Sequence, residues 1–274
     1  MVVRQNARMT DDVREAPAGL PWAPADYLAP LAAEMAAFET IVASHDPETP
    51  VPVSRTWKLR GLASHLGGIH RWAAENVRTG VRSSPVPKLP DGADPARWYR
   101  EGADILLETL GSADYAAPCW NFTKAPRVKG FWTRRQLHET TIHGRDADLA
   151  IGAPRTIEPI LAADGVDEVL RTMLPVAHRW GDRMPPQLPG AALIRLTDTG
   201  HSWLLTPNGE PVPDVEGPDA GASDRTLATA ITVTGRAEDM LLLLWQRSDL
   251  DTAGVRVEGD AVAVNAFLHG QITP

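Results

Sequence analysis

Apolar positions recur at helical spacing through most of the first half of the chain. From Pro24 to about His45, "PADYLAPLAAEMAAFETIVASH" returns an apolar residue every three or four positions, which predicts a first helix. A Pro-rich connection, "DPETPVPVSR", follows, and Thr56 is placed to cap a second helix over "WKLRGLASHLGGIHRWAAENVRTG" that ends near Gly80. Segment 81–93 reads as loop. Asp94-Pro95 then sets an N-cap and a first-turn proline ahead of a third helix, "ARWYREGADILLETLG". A long irregular stretch leads to Thr133, whose spacing to Gln136 fits a capping box for a fourth helix.

Past about Arg155 the pattern changes. A helix over 159–173, with Pro175 just beyond, precedes runs rich in β-branched or alternating residues, "ALIRLTD", "SWLLTP" and "ATAITVTG", which read as strands. "RAEDMLLLLWQR" is helical in character, "VRVEGD" is a short strand and "AVAVNAFLHG" a closing helix. The expected fold is therefore α+β overall: a four-helix bundle over about 23–153 and a small α+β domain over 154–274, with residues 1–22 disordered.

Composition narrows the function. At 274 residues the chain suits two domains. No apolar run approaches the roughly 18 residues of a membrane span, and the charged N-terminus lacks a signal-peptide core, so a cytoplasmic location is expected and no membrane partner. A formal net charge of −8 without a basic patch opposes nucleic-acid binding. Cys119 is the only cysteine, which excludes an internal disulfide, so a metal would have to use His and carboxylate ligands.

Such ligands occur in "RRQLHETTIHGRDADLA". Glu139 and His143, four apart, differ by only about 40° around a helix and share a face, whereas the adjacent His138 points about 100° away and suits a supporting or packing role. The second helix offers His65 and His70, about 140° apart, so one of them is expected to share the site. His65 lies between Leu62 and Leu66 on the apolar face and is preferred; His70 is placed nearer the edge. Gly67 and Gly68 would allow a close approach one turn on. A His, Glu, His set with an open fourth position suits catalytic Zn²⁺, though it also accepts Ni²⁺, Fe²⁺ or Mn²⁺.

Together, "TWKLRGLASHLGGIHRWAAENV" and "RRQLHETTIHGRDADLA" resemble the N-terminal metal-binding domain of the mycothiol-dependent maleylpyruvate isomerase family, within the DinB-like four-helix superfamily. "TVTGRAEDMLLLLWQR" with "VRVEGDAVAVNAFL" is similar to that family's C-terminal domain. The resemblance implies zinc on His65, Glu139 and His143, and a catalytic arginine at Arg247, although Gln246 stands where the family has Gly. A cation at a helix C-terminus is the alternative for Arg247. Asp146 reads as structural, able to orient a ligand histidine through its other ring nitrogen.

The implied partners are a low-molecular-weight thiol, mycothiol, and a small electrophile. Their chemistry would be cis-trans isomerisation of a maleylpyruvate-like acid or transfer of the thiol to the electrophile, including the tailoring of a secondary metabolite. A non-catalytic metal- or ligand-binding protein, its site closed by His70 or His138, is the other reading. Arg127 and Arg134 are further candidates to hold a carboxylate. Loops 81–93, 113–132 and 208–224 are expected to shape the substrate site, with Trp120, Phe122, Phe131 and Trp132 as pocket or core aromatics and Cys119 as a buried small hydrophobe.

Overall fold

The computed structural model describes residues 19–179, 185–211 and 229–273; the expectation of disorder at the N-terminus concerns mainly 1–18, and most of the 208–224 loop likewise falls outside these residues. Four long helices, α1 (Leu28–Ser44), α2 (Leu59–Thr79), α3 (Pro95–Gly111) and α4 (Phe131–Ala150), form a bundle in which α1 packs on α3 and α4, and α2 packs on the same two. Consecutive α1 and α2 thus sit on a diagonal. Among the described residues, no helix is long and apolar enough to cross a membrane.

Helix α1 buries Leu31, Met35, Phe38 and Ile41 along one stripe, as its spacing requires. Asp94 accepts a bond from the Ala96 amide at 3.0 Å and Pro95 opens α3, while Gly80 closes α2 in the left-handed conformation with φ 76°. A Cβ on Gly67 would lie 2.8 Å from the Trp98 ring, and one on Gly68 would collide with the Pro87 carbonyl oxygen. These glycines let α3 and the 81–93 loop lie directly on α2.

Three helix boundaries differ from expectation. Thr56 does not cap α2, which starts at Leu59 after Lys58, because Val51 N–H donates to Trp57 O and Leu59 N–H to Thr49 O, engaging this backbone in a tight turn. Thr133 lies inside α4, its hydroxyl donating to Gly130 O at 2.9 Å; the turn at 128–131 starts the helix earlier. Pro175 does not end its helix. After α5 (Pro159–Glu168) the chain makes one π turn, Val169–Met173, and continues as 3₁₀ helix from Leu174 to Arg179, so that Pro175, which has no N–H, falls where the hydrogen-bonding pattern changes.

The second half carries β1 (Ala191–Leu196), β2 (Ser202–Leu205), β3 (Thr229–Gly235) and β4 (Arg256–Glu258) in the order β2-β1-β3-β4; β1 and β3 run parallel and the outer pairs antiparallel. Helices α6 (Ala237–Leu244) and α7 (Ala261–Leu268) complete it, and α5 packs on α6. One apolar cluster runs from Phe38 and Leu62 in the bundle to Leu241 and Ile231.

Helix α4 is not amphipathic in the usual sense. It is buried on nearly every side although its sequence is polar, because α1 and α2 cover part of it and charged partners from α5 cover another. Arg134 pairs with Asp164 at 3.0 Å and Asp167 at 2.7 Å, His138 Nε2 meets Asp164 at 2.7 Å, and Arg135 pairs with Glu168. The Trp203 indole donates to Asp167 at 2.8 Å, extending the network to the sheet. Each buried charge has an opposite partner, the condition under which such groups are tolerated.

Candidate metal centre and its pocket

Helix α2 presents His65 toward α4, where Glu139 and His143 lie one turn apart. His65 Nε2 is 3.2 Å from Glu139 Oε1, and His143 Nε2 is 3.4 Å from the same oxygen. One ligand atom from each of the three residues lies within 4.8 Å of the other two. The Trp57 ring packs beside both imidazoles, at centroid distances of 5.1 Å and 5.8 Å.

Two further charges hold these side chains. Arg135 donates to Glu139 Oε2 at 2.8 Å and is itself fixed by Glu168, so the carboxylate has one oxygen engaged and the other directed at the histidines. Asp146 accepts from His143 Nδ1 at 3.0 Å and from Arg247 Nε and an Arg247 terminal nitrogen at 3.0 and 2.8 Å. Burial opposes ionisation of Glu139, but hydrogen bonds from His143 and His65 and the Arg135 charge hold it well below the usual carboxylate range. Burial likewise opposes the charge on His143, yet the bonds to Asp146 and Glu139 raise its pKa to about 9.

This arrangement fits a divalent metal. With Nδ1–H committed to Asp146, a neutral His143 would turn an Nε2 lone pair toward the Glu139 carboxylate, acceptor against acceptor. A cation must lie between them. A shared proton serves in the protein alone, and a metal ion can replace it, releasing the proton as imidazole and carboxylate become ligands.

The direction of Arg247 is set by a turn. After α6, Arg247 N–H bonds Leu242 O and Gln246 N–H bonds Leu243 O, a Schellman motif with Gln246 in the left-handed position at φ 56°. Its side-chain amide donates to Leu268 O and Gly270 O, both at 2.8 Å, which compensates for the absence of glycine there. The motif aims Arg247 across the domains at Asp146.

These groups form part of the wall of an open cavity of about 880 Å³. Arg127, Trp120 and Phe122 from loop 113–132 and Arg82 and Val86 from loop 81–93 line it, as expected of these loops; Phe131 and Trp132 do not line it and instead meet the lining rings of Phe122 and Trp72 edge-on. Arg134 is a correction: it is taken up by Asp164 and Asp167 and does not line the cavity. His70 is another, since it lies fully buried beside Thr140 and not at the edge. His138 is buried on Asp164, and Cys119 is buried against Asn76 O. Neither His70 nor His138 belongs to the three-residue cluster. Sequence reasoning missed Trp57, Arg82, Arg135, Arg179 and Trp245. Only Arg135 left a local signal, its i, i+4 spacing to Glu139.

Comparison with known proteins identifies the lineage. The sequence profile of the mycothiol maleylpyruvate isomerase N-terminal domain matches residues 28–148, and that of the C-terminal domain in the same family matches 161–265. The chain belongs to the mycothiol-dependent maleylpyruvate isomerase family. Two crystal structures share the fold: a mycothiol-dependent maleylpyruvate isomerase, at 12% identity, and a histidine-to-alanine mutant of the mycothiol-dependent maleylpyruvate isomerase, at 10%. Each aligns with a TM-score of 0.56 over 88% of this chain and 95% of the other. No curated protein matches the sequence.

Proposed function

We propose that the protein is a metal-dependent enzyme that uses mycothiol to isomerise a small cis-unsaturated acid of the maleylpyruvate type. In this reading His65, Glu139 and His143 hold zinc, the bundle over 23–153 is the metal-binding domain, and 154–274 supplies the catalytic Arg247. The observation that carries it is the convergence of both histidine Nε2 atoms on Glu139 Oε1 in the wall of a large pocket within this family's fold. Bound there, zinc lowers the pKa of a thiol so that it is a nucleophile at neutral pH.

The chain's own residues do the rest. Asp146 fixes the ring orientation of His143, and Arg135 fixes Glu139. Arg247 spends three N–H groups on Asp146 and Trp245 O and keeps two of its five for a substrate carboxylate at the wall of the pocket. Trp57 shields one side of the histidine pair from water. With the acid held, sulfur adds to the cis double bond, the resulting single bond rotates, and elimination returns the trans acid and the thiol, with no net thiol consumed.

The test has two parts. Elemental analysis should find about one zinc per chain in the purified protein and none in the Glu139→Ala, His143→Ala double variant. Incubation with maleylpyruvate and mycothiol should give the trans isomer with the thiol recovered. A stable thioether in its place would identify a thiol transferase. Metal-free protein that cannot be reconstituted would eliminate the metal mechanism and leave a binding protein.

A further inference from the structure

Five arginines but only two carboxylates, Glu139 and Asp146, line the cavity of a chain whose net charge is −8. Arg135 and Arg247 are neutralised by acidic partners. Arg82, Arg127 and Arg179 are not: among the described residues none of the three has a carboxylate partner. These three side chains are exposed, whereas Arg135 and Asp146 are buried, so the unpaired charge lies toward the mouth of the pocket and the groups that hold Glu139 and His143 lie deeper.

Each of the three comes from a different segment, and each segment is held. Ser83, next to Arg82, gives its amide and hydroxyl to Asn76 Oδ1 at 2.7 and 2.9 Å, and its carbonyl accepts from the Trp72 indole at 2.8 Å. Arg127 sits on a small hairpin in which Cys119 N–H donates to Arg127 O at 2.9 Å and the Asn121 side chain bonds Pro126 O. Arg179 donates to Phe122 O at 2.8 Å. Between them lies an aromatic shelf, with the Arg82 guanidinium 5.4 Å from the Trp120 ring and Phe122 beside it. Like charges gathered in one cleft repel, and unpaired arginines around an apolar wall are what recognition of a flat anion requires.

We propose that Arg82, Arg127 and Arg179, over the Trp120–Phe122 shelf, form an oxyanion subsite at the pocket mouth for the remote carboxylate of a flat, conjugated acid. The acid's other end reaches inward toward Arg247 and Glu139. The subsite rests on the proposed function only in taking this acid to be the electrophile and not the thiol. It makes a second negative charge, distant from the reacting bond, the feature that selects the substrate.

Isothermal titration of the full-length protein as purified tests this, with cinnamate and its neutral amide, cinnamamide, as probes. The acid should bind about tenfold more tightly than the amide, and the difference should shrink as salt is raised. The triple variant Arg82→Gln, Arg127→Gln, Arg179→Gln should lose the preference while its amide affinity and metal content match the wild type. Equal binding of acid and amide by the wild type would overturn the proposal, as would a preference that survives in the triple variant, which would place recognition deeper in the pocket. Mycothiol titrated alone should bind both proteins equally; a loss confined to the thiol would assign the arginines to the cosubstrate and refute the subsite. Because binding is the readout, absence of isomerase activity would defeat the proposed function without touching this one.

Discussion

Replacing Asp146 by Asn keeps the shape of the side chain and removes the charge that joins the two halves of the protein. Asp146 is 1% exposed and accepts two bonds from Arg247 and one from His143. Stripping the acid from a buried ion pair costs about 3–5 kcal/mol when the remaining charge is wholly uncompensated. Arg247 is 19% exposed and keeps Trp245 O, and Asn can still accept one bond, so we expect a loss of about 1–3 kcal/mol. A second effect is separable from the first. Asn holds the His143 tautomer less firmly, and loss of such a partner weakens metal binding by about 10–100-fold. Guanidinium unfolding of Asp146→Asn, Arg247→Gln and the double variant gives the coupling energy, and chelator competition gives the metal affinity. Additive single losses, within about 0.5 kcal/mol, would show that the pair contributes nothing across the interface. Unchanged metal affinity in Asp146→Asn would remove its part in orienting His143.

Other outcomes follow from the same geometry. His70 is buried, and because the Thr140 hydroxyl donates to Gln136 O, His70 Nε2–H is the donor to Thr140 while Nδ1 has no partner. Burial lowers its pKa to about 3, below an unfolded value near 6.5, so the unfolded chain takes up the proton first; stability should fall by about 1.4 kcal/mol per pH unit from about 6.5 toward 3. Unfolding midpoints of His70→Gln against pH should show a flatter slope across that window, and an unchanged slope would assign the acid lability elsewhere. Asp164 works in the opposite sense. Burial raises its pKa, but Arg134 and His138 outweigh that and hold it low, so its stabilisation is present above about 3.9 and is lost as pH falls through the lower folded value. Asp164→Asn should cost about 3–5 kcal/mol near neutral pH, with the deficit shrinking only in stronger acid. Gly68→Ala drives a methyl into the Pro87 carbonyl and should cost about 1–3 kcal/mol, with faster proteolysis of the 81–93 loop.

Local sequence determined what depends on neighbours in the chain. Asp94-Pro95 and Gly80 set helix ends by local chemistry alone, and the four-residue step from Glu139 to His143 puts both on one face of any helix that contains them. The β-branched runs marked the strands for the same reason. Thr56 and Thr133 show the limit, since each has a capping residue's chemistry but the adjoining turn decided where the helix began.

Burial and proximity between distant segments were decided by the tertiary structure. His65 and His70 lie on one helix, and only the packing of α2 on α4 and α3 puts the first at the pocket and the second in the core. Arg134 and Arg135 are adjacent, yet α5 takes up one and places the other beside Glu139. Arg247 meets Asp146 across 101 positions because a Schellman turn aims it there, and Arg179 reaches the pocket because its helix continues past Pro175. Residue type and spacing limit which chemistry a side chain can carry. Which partner it meets depends on contacts between segments far apart in the chain, and these exist only once the core that forces them together has formed.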